Sequence, residues 1–394
     1  MTAFILSHKI ALDVTCKQDV YFRKACGTAR FAWNWGLAKW QEKYQANIST
    51  SGLELKKEFN ALKTTLFPWV YEVTKYACQQ PFIYLQKAFN AFFAKKAKYP
   101  KFKKKGAHDS FYIGGDQIRI AGKSAKIPTL GWVRLSESLR FEGKIQGATV
   151  SRKADKWFIS FHVEMHQKPK QCENQAKIGI DVGIKTLATL SNGDEIPNIK
   201  ALKKSLGRLQ KWQRRLSRCQ KGSKNRNKIR ERVSKLHYRV SCQRSDHIHK
   251  LTTSLTENYR YIAIEDLDIL RMLGNKRLSR EIMDGAWYEF RRQLCYKAKL
   301  RGNSIIIADR WFASSKKCSN CGSCKNRLSL SERVYKCSCC DIELDRDLNA
   351  ARCLEQLINT VSSTEIEACG QNGSVIMLKT SLQPVWKKQE LSHV

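Results

Sequence analysis

Four cysteines and three carboxylates stand out for the chemistry their types and spacing could perform. Two residues separate Cys318 from Cys321 and Cys337 from Cys340, with fifteen between the pairs. That spacing predicts two tight knuckles whose thiolates face one point and hold a structural Zn²⁺ with no open position. Cys324 and Cys339 are supernumerary, without the paired spacing. The carboxylates are Asp181, Glu265 and Asp347. Asp181 interrupts the run Ile178-Gly179-Ile180-Asp181-Val182-Gly183, a short buried strand by composition, where a lone carboxylate is costly. Its flanking glycines admit another backbone, or a metal with a phosphate. Glu265 follows the apolar run Tyr261-Ile262-Ala263-Ile264, and Asp347 opens a helix with Leu354 and Leu357 on one face. Acids on strand, strand and helix suit phosphodiester cleavage by two Mg²⁺ ions. Asp181 would bridge the ions, with Glu265 and Asp347 each holding one side.

The rest of the chain must position these groups. Of 394 residues, 72 are Lys or Arg and 35 are Asp or Glu, a net charge of +37. Such an excess excludes a metabolic enzyme with neutral substrates and points to a polyanion. The charge is spread along the chain, which favours nucleic acid over anionic lipid. No apolar run is long enough to span a membrane, and the first residues lack the pattern of a secretory signal. With 15 cysteines, an odd number, a reducing cytoplasmic compartment is expected.

Residues 4–14 read as a strand, 18–44 as an aromatic-laden helix, and 53–62 as a second helix. Residues 70–98 form a third helical region, with a kink or restart at Pro81. The aromatics of the first helix, Tyr21, Phe22, Phe31, Trp33, Trp35, Trp40 and Tyr44, are mainly helix-bundle core. The basic run 95–106 interleaves Tyr99 and Phe102 with cations including Lys101 and Lys103, a pattern for nucleic-acid contact. Period-two segments over 108–164 suggest a small barrel, completed by the first strand with the helices inserted. Ser191-Asn192-Gly193-Asp194 marks a hairpin after Asp181. Residues 200–260 carry 19 Lys or Arg against three acids and read as a basic helical hairpin broken at 221–225.

Together these motifs resemble the TnpB family of transposon-encoded RNA-guided nucleases, related to compact type V CRISPR effectors. The likeness rests on Gly179-Ile180-Asp181-Val182-Gly183-Ile184-Lys185, Ile262-Ala263-Ile264-Glu265-Asp266-Leu267, Asp309-Arg310-Trp311-Phe312-Ala313-Ser314-Ser315-Lys316-Lys317-Cys318 and Asp345-Arg346-Asp347-Leu348-Asn349. Ala29-Arg30-Phe31-Ala32-Trp33-Asn34-Trp35, Tyr99-Pro100-Lys101-Phe102-Lys103 and Glu367-Ala368-Cys369-Gly370 are similar too. The resemblance implies an α/β multidomain chain. Its RNase H-like (RuvC-type) nuclease domain, residues 169–312 and 344–360, would be split by a zinc ribbon at 313–343 that binds target nucleic acid. A wedge β-barrel domain, 1–14 and 107–168, would carry an inserted helical recognition domain at 15–106. Residues 361–394 are expected to be a flexible tail. Asp347 is the implied third acid because it stands two before Asn349, with Asp345 as the fallback. Lys75, Gln79 and Gln80 would read a short motif beside the target, and Arg310 is a further nucleic-acid candidate. The implied partners are a guide RNA and double-stranded target DNA, in a prokaryotic, nucleoid-associated setting, with no membrane. Oligomeric state stays open. A miniature type V CRISPR effector and a guided DNA binder that does not cut are the alternatives. One departure is Asp341 after the last cysteine, where the family has glycine.

Overall fold

The computed structural model describes residues 4–166, 172–329, 331–360 and, as backbone, 374–377. The chain divides into two compact units, Met1–Gln167 and Lys168–Val394.

The first unit begins with β1 (Phe4–Asp13), followed by α1 (Cys16–Gln45), α2 (Gly52–Leu66) and α3 (Lys75–Phe93). It ends with β2 (Ser110–Gly114), β3 (Arg119–Ala121), β4 (Ser124–Ile127), β5 (Gly131–Leu135), β6 (Lys144–Lys153) and β7 (Lys156–Met165). These strands form one sheet in the order β2-β6-β7-β1-β5-β4-β3. The first strand thus joins the later ones across an insertion of three helices, as the period change predicts. Thr15 starts α1 with a reciprocal capping box to Gln18. This one helix serves two cores. Tyr21, Phe22 and Ala25 pack on the sheet with Trp157 and Phe161. Further along, Trp33, Leu37 and Trp40 pack with Phe59, Phe82 and Phe89 of α2 and α3. Tyr44 departs from the expected core role and is exposed. Pro81 does not restart a helix; it lies buried inside the continuous α3, which forgoes one backbone hydrogen bond.

The second unit holds β8 (Lys177–Val182), β9 (Thr186–Leu190), β10 (Glu195–Pro197), α4 (Ala201–Arg218), α5 (Lys224–Asn258), β11 (Tyr261–Ile264), α6 (Ile269–Met272) and α7 (Ser279–Gly285). Then come α8 (Trp287–Arg301), β12 (Ser304–Ile307), β13 (Val334–Lys336), β14 (Glu343–Asp345), α9 (Arg346–Thr360) and β15 (Ser374–Met377). Its main sheet has the order β10-β9-β8-β11-β12-β15. β8, β11, β12 and β15 are mutually parallel; β9 pairs antiparallel with β8, and β10 pairs antiparallel with β9. The two faces follow the period of two. Ile178, Ile180, Ile262, Ile264, Ile305 and Ile307 face a core with Ile248 and Leu251 of α5 and Phe290 and Leu294 of α8. Ala263, Ile306 and Ala308 face Leu354 and Ile358 of α9. The basic hairpin is α4 and α5, with Leu209, Ile229 and Val233 buried and its cations other than Arg226 and Arg244 exposed. Asp284 of α7 holds its start, accepting from the Leu202 and Lys203 N–H groups and pairing with Arg244.

Within the expected tail, Ser374–Met377 form a short strand. That short β-branched run extends the sheet beside β12. Residues 361–373 and 378–394, including the expected Glu367–Gly370 likeness, lie outside the described residues.

Candidate active site and metal centre

Strand register brings the first two acids side by side. Ile264 of β11 pairs with Ile180 of β8 in a parallel ladder, so Glu265 and Asp181 are the next residues on adjacent strands. Alternation points Gly179, Asp181, Ala263 and Glu265 to the α9 face of the sheet. A Cβ on Gly179 would lie 2.0 Å from the Ala351 carbonyl oxygen and 2.5 Å from the Glu355 nitrogen. The glycine therefore admits the backbone of α9, one of the two occupants its sequence context allows. Asp347 lies four residues before Ala351, about 6 Å along the helix axis. Asp181 lies two residues beyond Gly179, about 6.6 Å along the strand. The two steps match, so packing α9 onto β8 brings Asp347 to Asp181.

The electrostatics reflect this convergence. Asp181 titrates well above the usual carboxylate range, through burial first and then the charges of Glu265 and Asp347, with Arg346 opposing. Burial also raises Glu265, while the Ser314 hydroxyl, which donates to its Oε1, opposes the shift. All three acids remain partly exposed. Asp345, the fallback, serves the helix instead. Its Oδ1 accepts from the Asp347 and Leu348 N–H groups and caps α9. Three carboxylates close enough to share one field suit a hard divalent cation, which would relieve their repulsion.

The four predicted cysteines also converge, their Sγ atoms all within 4.8 Å of one another. Cys318 and Cys340 are 3.6 Å apart, and Cys321 and Cys337 are 3.5 Å apart. Thiolates on a tetrahedral Zn²⁺ at about 2.3 Å would sit roughly 3.8 Å apart, so the donor set fits. The N–H groups of Asn320 and Cys339 point at Cys318 and Cys337, and the Ser323 hydroxyl draws Cys337 down to about 5. Cys324 and Cys339 are exposed and outside the cluster. Asp341 takes φ +53°, matching Gly322 at +78° after the first knuckle. A glycine would sit there without strain; the aspartate adopts the same turn and the knuckle keeps its ligand.

The ribbon is tied to the third acid. Asn349 is fully buried; its Oδ1 accepts from the Ser319 N–H at 2.9 Å and its Nδ2 donates to the Lys317 carbonyl at 2.7 Å. Cys353 and Gln356 add bonds to Lys317 and Ser319. Asn349 and Ser314 escaped assignment from the sequence. Asn349 was visible two residues after Asp347, whereas Ser314 had no local signal, being 49 residues from Glu265.

The nucleic-acid candidates fare differently. In the first unit, Lys75 pairs with Asp116 at 3.3 Å, and Gln79 and Gln80 are partly exposed on α3. Lys101 and Lys103 are exposed on a loop clasped to α1. Trp33 donates to the Lys101 carbonyl, Asn34 bonds the Lys103 backbone both ways, and the Lys103 ammonium sits 4.1 Å from the Trp33 ring. In the second unit, Arg310 pairs with Asp266 and Asp268. Arg291 also pairs with Asp266, and the two guanidiniums outweigh burial and lower its pKa. No helix among the described residues is long and apolar enough to cross a membrane.

Family profiles described as "Probable transposase", "Cas12f1-like, TNB domain" and "Helix-turn-helix domain" match residues 160–276, 287–354 and 1–49. The last span folds here as β1 and the single helix α1. A Streptomyces pristinaespiralis protein named "Putative RNA-guided DNA endonuclease" is 38% identical over 299 residues, covering 74% of this chain and 73% of its own. An Escherichia coli K12 protein of the same description, InsQ, is 30% identical over 357 residues, covering 85% and 88%. The fold is mixed α/β and resembles the protein in a cryo-EM structure of a Cas12f1–sgRNA–target DNA complex. That likeness has a TM-score of 0.53 at 16% identity and covers 86% of this chain and 83% of that one.

Proposed function

As this chain belongs to the TnpB family, we propose that it is an RNA-guided DNA endonuclease of a transposon. A guide RNA pairs with target DNA beside a short motif, and the Asp181–Glu265–Asp347 site hydrolyses the strand. The observation that carries this reading is the shared field of the three acids, assembled by register and by the close approach at Gly179. The order of parallel and antiparallel strands around β8 supports a RuvC-type, RNase H-like nuclease domain. The first unit supplies the wedge barrel and the recognition helices, with Lys75, Gln79 and Gln80 reading the motif beside the target.

Two Mg²⁺ ions bound by these acids would activate the attacking water and stabilise the leaving oxygen. Asp181 would be shared by the two ions, and Glu265 and Asp347 would each complete one side. Ser314 holds the Glu265 carboxylate by its hydroxyl. Asp181 must lose its proton to act as a ligand, and the burial that raises its pKa makes that loss the pH-sensitive event. The cysteine cluster holds Zn²⁺ and acts through Asn349 by fixing the start of α9. The outward cations of α4 and α5 grip the nucleic-acid backbone.

The test is to purify the protein, sequence the RNA that accompanies it, and offer DNA matching its variable segment with Mg²⁺. A defined RNA and a cut at a fixed distance from a short motif are expected. DNA bound but uncut would leave guided binding alone, and random RNA would remove the guide.

A further inference from the structure

The loop from Asp309 to Ser314 contains two adjacent aromatics with opposite fates. Phe312 turns inward and packs against the core of Ala308 and Leu354. Trp311 turns outward and is 77% exposed, more than any other large aromatic among the described residues. Its place is nonetheless fixed. The Trp311 N–H donates to Asp309 Oδ1 at 2.8 Å, and the Phe312 N–H donates to the Asp309 carbonyl at 2.9 Å. One residue before it, Arg310 is pinned to Asp266 and Asp268; three residues after it, Ser314 holds Glu265. Three residues of chain span at most about 11 Å, so Trp311 stands at the lip of the carboxylate site.

This lip is a poor place to hold a strand by charge. Asp266 and Asp268 flank it, and Arg310 is already engaged with both. An exposed indole can hold a base there without opposing the acids, because stacking depends on the π-face of the base and not on its charge. A locked backbone keeps that platform in register with Glu265.

We propose that Trp311 is a stacking platform for an unpaired base within one or two nucleotides of the cleaved bond, fixing where the strand lies over Asp181 and Glu265. The proposal rests on the nuclease reading of the site. It also assigns the cut strand a single-stranded conformation at that position, since a base must leave its neighbours to stack on the indole.

The test uses the protein with its co-purified RNA and single-stranded DNA oligonucleotides carrying one abasic position, moved stepwise across the cut. In the wild type, an abasic residue at one position beside the cut should raise KM roughly 10-fold, the scale of one base–aromatic stack. Trp311→Ala should show the same loss on the intact oligonucleotide and no further loss at that abasic position, while Trp311→Phe restores most of the affinity. Unchanged KM in Trp311→Ala, or an abasic penalty that persists in it, overturns the proposal. A binding arm separates this from the nuclease reading. A fluorescent base analogue at the same position should be quenched by wild-type and Asp181→Ala protein and not by Trp311→Ala. Quenching without any wild-type cleavage would sink the nuclease reading alone. Absence of quenching would sink the platform.

Discussion

The second unit contains two sets of candidate ligands, four thiols and three acids, built in opposite ways. The cysteines come from 23 consecutive residues, and their sulfurs close on one point. The acids stand 84 and 82 positions apart and meet only because two strands share a register and a helix lies across them. The first cluster can form from local turns; the second needs the whole unit folded. The first is closed and suits a structural ion, whereas the second is partly open and strained by its own charge. Asn349 joins them, so the local cluster props up the distant one.

The largest effect that would sharpen this contrast is on catalysis. Asp181→Ala should lower cleavage at least about 1,000-fold if, as proposed, the acids hold the metal that stabilises the transition state. Bound zinc should stay unchanged, as measured by metal analysis. The pH dependence has a definite sign. Asp181 is raised in the folded state, so the metal-free protein loses stability as pH rises above the unfolded carboxylate value and through the folded one. Asp181→Asn should remove that loss and raise the melting temperature of metal-free protein at neutral pH. In the wild type, more Mg²⁺ should move the acid limb of the cleavage profile to lower pH, because metal displaces the proton.

The reverse experiment comes next in size. Cys337→Ser should abolish zinc binding and also weaken cleavage, because the Lys317 and Ser319 contacts that fix α9 depend on the ribbon. Cleavage at the wild-type rate without zinc would break the proposed link between the clusters. Gly179→Ala tests the non-local side alone. Its methyl group would meet the Ala351 carbonyl, costing about 3 kcal/mol by denaturant unfolding and reducing cleavage, with zinc retained. The smallest effect concerns the ribbon's second knuckle. Asp341→Gly should stabilise the protein by about 0.5–1 kcal/mol in thermal unfolding, because glycine adopts the positive φ without strain.

The same division explains what could be read in advance. Cysteine spacing, the basic hairpin and the strand-to-helix change of period are local patterns, and each reappears in the structure. Pro81 does not begin a new helix because the buried packing of α3 carries the chain through it. The strand Ser374–Met377 was missed because four residues carry little periodicity, and its partner β12 lies some 70 positions earlier. The family likeness prefers Asp347 to Asp345 only by its place two before Asn349. The cap geometry gives Asp345 to the helix terminus and turns Asp347 towards Asp181.

By itself the sequence pointed to a polyanionic partner through its charge, to four convergent thiols through their spacing, and to three candidate acids through their strand and helix settings. Tertiary structure alone decided that those acids meet, that Gly179 serves the helix backbone, and that Asn349 couples ribbon to site. The physical reason is that thiolate knuckles are closed by turns a few residues long. A carboxylate cluster, in contrast, is an accumulation of like charge that only long-range packing of β8, β11 and α9 can hold together.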